Sequence, residues 1–188
     1  FIASSISKPG TVKHIGTMQR IIMGEREGPS SKCVEKLFAA MIAGGIDAEI
    51  SDDIERTIWE KFVFLVGVSS ITTLMNSEIG PIRSDTEGRE FLHNVFREVT
   101  AVGRARGVNL PENFGTTRLD FADGVPAEMT TSMHHDLKAG HRLELPWLAG
   151  AVVRMGREAG IPTPVCQTVY AALLPRSGLY KDERPVTI

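Results

Sequence analysis

The stretch "KFVFLVGVSSITTLM", residues 61–75, limits the fold more than any other part of the chain. Its only charge is Lys61, and the next charged residue is Glu78. A helix that is apolar almost all round has no solvent face, so other elements must wrap it. Gly67, Ser69, Ser70, Thr72 and Thr73 dilute the run. On that ground no segment approaches the roughly 20 apolar residues needed to span a bilayer. The expected setting is the centre of a helical domain.

What precedes this helix reads differently. "FIASSI" and "TVKHIG" flank the turn pair Pro9-Gly10, and "QRIIMGE" is a further short strand. "SSKCVEKLFAAMIAGG" is an amphipathic helix ending at Gly44-Gly45, and "IDAEIS" alternates as a strand does. From Ser51 onward nothing reads as strand. Ser84 and Glu87 have the spacing of a capping box, opening a helix with Leu92, Val95, Phe96, Val99 and Val102 on one face. "RARGVNLP" and "REAGIPTP" are helix endings, with Gly107 and Gly160 at the left-handed position and Pro111 and Pro164 beyond. The organisation predicted is an α/β segment over 1–50 and an all-helical domain over 51–188.

Composition removes several classes. With 42% hydrophobic and 23% charged residues and a net charge of -2, the chain has the profile of a soluble globular protein. There is no electrostatic case for nucleic acid or an anionic membrane. Cys33 and Cys166 form no metal or disulfide pattern, and no signal peptide is visible, so the cytoplasm is the expected location. The chain opens on Phe1 within a strand pattern, as if entered partway through a longer protein.

Lys61 has two readings. It can snorkel from the end of a buried helix or pair with Glu55 or Glu60. Alternatively it is a general acid, since burial disfavours the ammonium and makes its proton labile near neutral pH. Residues 61, 65 and 69 share one helical face, which places Ser69 about 12 Å further along the axis. A second group lies in "TTSMHHDLKAGHRLELPW". Thr130, Thr131 and Ser132 are natural N-cap residues, or a hydroxyl cluster for a carboxylate ligand. Glu144 precedes Leu145-Pro146 at a helix start, where the dipole favours a carboxylate, or where it meets a ribose. His134, His135 and Asp136 lack metal-binding spacing and read as solvent-facing helix surface. The sequence holds no GxSxG, P-loop or GxGxxG motif.

Taken together, "PG" then "HIG" and "GE" in the strands, "WEKF" on the long helix, "TSMHHDLKAGHRLE" and the terminal "AGIPTP" resemble the C-terminal part of ketopantoate reductases (2-dehydropantoate 2-reductases). The resemblance covers essentially the whole chain. It implies a helical domain like the C-terminal domain of 6-phosphogluconate dehydrogenase, preceded by the last strands and helix of a Rossmann domain. It also implies NADPH as cofactor, held mainly by residues outside this chain, and reduction of ketopantoate to pantoate in pantothenate biosynthesis. By the same resemblance, Lys61 protonates the substrate carbonyl oxygen, Ser69, Thr131 and Ser132 contact substrate, and Glu144 lies on the cofactor side.

The departures concern the substrate. Leu65 and Ile79 stand where the family commonly has asparagines, with Asn76 close by, and Ser69 replaces another. His141, Leu143 and Pro146 replace the more usual arginine, threonine and aspartate. Reductase chemistry therefore carries over better than the named substrate, and an altered 2-keto acid is expected. The competing reading is a helical binding or oligomerisation module without chemistry, whose strands at 1–50 pair with a partner or another copy. A homodimer is compatible with either.

Overall fold

The computed structural model describes residues 2–178. Compact packing divides the chain into Phe1–Ile58 and Trp59–Ile188, a division that falls inside one helix. In the first unit, β1 (Ile2–Lys8) and β2 (Thr11–Gln19) form an antiparallel hairpin around Pro9-Gly10. β3 (Ile21–Met23) and β4 (Ala48–Ile50) form a separate parallel pair, crossed over by α1 (Lys32–Ala43). Parallel strands need such a crossover, and a helix is its usual form. Ser31 caps α1 by accepting from the Val34 N–H at 3.2 Å. The expected β-β-β-α-β order is present.

α2 (Ile54–Met75) starts two turns earlier than its apolar run. Asp53 begins it, accepting from the Arg56 N–H at 3.0 Å. By length and composition α2 could cross a membrane, contrary to the expectation that its small polar residues dilute it too far. Burial explains the composition instead. Val63, Val66, Val68, Ser69, Ser70, Ile71, Thr72 and Thr73 are all buried, which is the condition of a core helix.

The second unit continues with α3 (Ile79–Ser84), α4 (Thr86–Ala105), α5 (Phe114–Asp123) and α6 (Ser132–Ala139). A 3-10 turn (Leu145–Trp147), α7 (Ala149–Ala159), α8 (Pro164–Leu173) and a last 3-10 turn follow. No strand occurs among the described residues after Ile50. α4 presents the predicted face, with Leu92, Val95, Phe96, Val99 and Val102 wholly buried. It lies so close to α2 that a Cβ on Gly67 would meet the Phe96 ring at 2.1 Å. The predicted capping box is corrected by one residue. The Ser84 hydroxyl is already used inside α3, donating to the Gly80 carbonyl at 2.9 Å. Asp85 caps α4 in its place, accepting from the Gly88 N–H at 2.7 Å.

Both predicted helix endings form. Gly107 (φ +87°) and Gly160 (φ +68°) are left-handed. The Val108 and Ile161 N–H groups return to the Gly103 and Gly156 carbonyls at 3.1 and 2.8 Å. This 6→1 bond is the Schellman ending. Pro164 does more than stop a helix, because it occupies the first turn of α8. The Glu98 carboxylate accepts from the Val165 and Cys166 N–H groups, each at 2.8 Å, anchoring α8 to α4. The Cys166 thiol is pushed up by burial and then by Glu98, so this cysteine is an inert core residue.

Candidate active site

The stripe of α2 that carries Lys61, Leu65 and Ser69 runs from solvent into the interior. Lys61 is exposed, Leu65 is half-buried against the core, and Ser69 is buried. The burial expected to make the Lys61 proton labile is absent from this unit. The core packs on Val63 and Val66, roughly opposite Lys61 on the helix, and leaves its side open. Nor does Lys61 lie at the mouth of the helix, since two turns precede it.

Asn76 lies just past the last residue of α2, in the left-handed region at φ +49°. Asparagine adopts this conformation more readily than other residues with a Cβ. Its side-chain Oδ1 lies 3.1 Å from His134 Nε2 on α6. A carbonyl oxygen only accepts, so Nε2 is the donor and carries the proton. His134 is wholly buried, not on the solvent face expected of it. The adjacent Met133 is also buried, while His135 is exposed with Nε2 2.8 Å from the Thr130 hydroxyl. The buried side of α6 thus includes the histidine. Burial, then Lys138 and His135, hold the His134 pKa below the ordinary histidine value, with Glu78 acting the other way. Its neutral form is favoured.

Backbone bonds fix the same junction. The Ile79 N–H donates to the Met129 carbonyl at 3.0 Å, and the Gly80 N–H to the Ala127 carbonyl at 2.8 Å. The polar end of the α2 stripe is therefore held beside the start of α6. Thr131 is the N-cap there, yet its hydroxyl makes no capping bond. Its Oγ1 is buried without a partner, as are Ser70 Oγ, Thr73 Oγ1 and His134 Nδ1. Buried polar atoms are usually satisfied, so the Thr131 hydroxyl at the start of α6 is a candidate contact for a polar ligand atom or a water. Ser132, the first residue of α6, is exposed.

Glu144 precedes the 3-10 turn Leu145–Trp147 and is exposed. Its backbone carbonyl accepts from the Trp147 and Leu148 N–H groups at 2.9 and 3.2 Å. Its carboxylate makes no capping bond. The Arg142 guanidinium lies 5.6 Å from the Trp147 ring centre, beside it in sequence. The structure thus pairs Asn76, just past α2, with His134 on α6, the helix that Thr131 and Ser132 begin, and sets Glu144 on a separate turn. Sequence reasoning missed His134. The available signal was its position three residues after Thr131 and three before Leu137, the spacing of one helical face.

The family model "Ketopantoate reductase PanE/ApbA C terminal" matches residues 53–176. The chain belongs to the ketopantoate reductase family. It is similar to the 2-dehydropantoate 2-reductase of Mesorhizobium japonicum, 31% identical over 169 residues, which is 90% of this chain and 51% of that protein. It is also similar to the oxidoreductase YkpB of Bacillus subtilis, 29% identical over 175 residues, covering 92% of this chain and 57% of that one. Its structure matches that of 2-dehydropantoate 2-reductase from Methylococcus capsulatus with a TM-score of 0.83 and 28% identity, over 100% of this chain and 64% of the other. The chain spans about half the length of the curated relatives it matches. The helical unit described above is thus the C-terminal domain fold of the ketopantoate reductases, an oxidoreductase family. Two residues expected to depart from the family's pattern have definite places in the fold. Leu143 is 1% exposed and belongs to the core, and His141 Nδ1 lies 3.2 Å from Asp136 Oδ1.

Proposed function

We propose that this chain is the substrate-binding part of an NADPH-dependent 2-keto acid reductase in which Lys61 is the proton donor. The observation that carries the reading is the α2 stripe, which leads from exposed Lys61 past Leu65 to buried Ser69 and runs toward the junction with α6. Under this reading residues 1–50 complete the dinucleotide-binding domain and residues 51–188 hold substrate. The working form is a cytoplasmic homodimer.

Bound NADPH supplies the hydride. Glu144 suits the cofactor side, because an exposed carboxylate with no capping role can accept from ribose hydroxyls. The Thr131 and Ser132 hydroxyls hold the substrate carboxylate at the start of α6, where the helix dipole favours an anion. Lys61 directs an N–H at the ketone oxygen. As the carbonyl carbon gains the hydride, that oxygen takes the Lys61 proton, and the C=O becomes CH–OH. Its exposure lets Lys61 recover a proton from water after each turnover.

Leu65 shapes the preference among substrates. A half-buried leucine in the middle of the stripe offers hydrocarbon where an asparagine would pair with a substrate hydroxyl. The reading therefore favours a 2-keto acid with an apolar side chain over ketopantoate. The test is NADPH oxidation by the full-length protein with ketopantoate and with branched, hydroxyl-free 2-keto acids. Turnover with the second group in preference is the expected result. No oxidation with any 2-keto acid would overturn the reading.

A further inference from the structure

We infer that His134 is a positioning residue: by donating from Nε2 to Asn76 Oδ1 it turns the Asn76 amide so that its NH2 group is the donor offered to an acceptor oxygen of the bound 2-keto acid. This rests on the reading of the site given above. An asparagine side chain presents an acceptor at one end and two donors at the other, and rotation by half a turn exchanges them. His134 is wholly buried and holds the acceptor end at 3.1 Å, while Asn76 itself is exposed. The donor end is thus the one left for a ligand.

Position along α2 points the same way. Asn76 follows Ser69 by seven residues and directly succeeds the last residue of the helix that carries Lys61, Leu65 and Ser69. Its left-handed backbone, at φ +49°, ends the helix there. The amide then lies at the junction with α6, where the Thr131 hydroxyl is buried and unpartnered. Ile79, at the place of a family asparagine, is wholly buried and apolar. Asn76 is the amide nearest to it in the chain, and His134 gives that amide a single orientation.

The opposite arrangement, with the amide NH2 donating to Nε2, would put the ring proton on Nδ1, which is buried without an acceptor. Were His134 protonated, Nδ1 would carry a second N–H into a buried place without an acceptor. The groups facing it are Lys138 and His135 from α6 and Glu78 from the turn after α2. Protonation would leave the Nε2 donor in place but strand the Nδ1 N–H, so the neutral Nε2-protonated ring is the form that suits this pairing.

Two experiments test this. Imidazole nitrogen NMR on this chain should show His134 as the neutral tautomer protonated at Nε2, with that signal lost in His134→Phe. The Nδ1-protonated tautomer would overturn the inference whatever the enzyme does. In the full-length reductase, His134→Phe should raise the KM for the 2-keto acid about 10-fold, the usual scale for one lost polar contact, with the KM for NADPH unchanged. His134→Gln, which keeps an N–H donor, should recover most of the loss. Asn76→Ala should cost as much as His134→Phe, and the double variant no more than either. Additive losses, or a KM that stays put in a folded His134→Phe, would overturn it. A wild-type protein that reduces no 2-keto acid would overturn the ligand assignment and the functional reading together, with the NMR result still deciding the clamp.

Discussion

α1 and α4 are both amphipathic helices with a side-chain N-cap, yet α4 buries eight of its residues and α1 none. Ser31 serves one and Asp85 the other. Leu37 and Ile42 on α1 remain 49% and 50% exposed, and Ile6 and Val12 on the hairpin 78% and 69%. A cap and an apolar stripe make a helix form, but burial needs an opposing surface. For α4 that surface is supplied by α3, α5, α7 and α8 together with α2. Among the described residues of the first unit, the main packing partner of α1 is the short strand β4.

The largest expected effect follows directly. Phe96 is wholly buried against α2, so Phe96→Ala should lower the unfolding free energy by about 3–5 kcal/mol. Leu37→Ala on α1 should cost about 0.5 kcal/mol or less, the usual range for a surface change. Urea denaturation of the two variants measures the contrast. Comparable losses would mean that α1 is as well packed as α4.

Next comes a separation within α2 itself. Its stability resides on the Val63 and Val66 side, and the proposed chemistry on the Lys61 side. In the full-length protein Lys61→Ala should lower kcat about 100- to 10,000-fold, the scale of general acid catalysis. The melting temperature should hardly move, because Lys61 is exposed. A near-normal kcat, or a large fall in stability with no kinetic effect, would return Lys61 to a structural role.

Much of this was legible in the chain before folding, and the exceptions have physical causes. The apolar run at 61–75 required a wrapped helix, and Gly107 and Gly160 marked endings that need positive φ. Ser84 misled because its hydroxyl had an alternative acceptor within α3, at Gly80. Lys61 was expected to be partly desolvated, but neighbours in sequence do not reveal which side of a helix the core covers. Without metal-binding spacing His134 reads as helix surface, whereas an acceptor 58 positions away in sequence, Asn76, satisfies it in the interior. Local signals fix elements and their ends. Pairings across the fold decide which polar groups are hidden.

A smaller effect tests the middle of the stripe. Leu65→Asn would place an amide where a substrate hydroxyl can meet it. Burying a hydroxyl without a partner costs about 1–3 kcal/mol, so the variant should shift kcat/KM toward ketopantoate by roughly 5- to 150-fold relative to apolar 2-keto acids. Stability should fall modestly, since Leu65 packs against the core. An unchanged ratio would mean that substrate does not pass Leu65.

The smallest effect concerns pH, and it belongs to residues 59–178. His134 is held below the ordinary histidine value of 6.5 by burial, then by Lys138 and His135. His93 is lowered from the same value by burial, then by Arg97 and Arg89, with Asp120 and Glu90 opposing. In both cases the unfolded chain binds the proton more readily than the folded one. Stability therefore rises with pH between the folded and unfolded pKa values, and is lost as pH falls below the ordinary histidine range. The loss levels off once both states are protonated. Urea midpoints should accordingly decline as the pH falls through the ordinary histidine value of 6.5. His134→Gln should flatten part of the slope and His93→Gln the rest, while each keeps a side chain able to hydrogen-bond. A double variant with the wild-type slope would assign the pH dependence to other groups. A slope that persists when α1 is perturbed by Leu37→Ala, but vanishes in the double variant, would tie it to the helical unit alone.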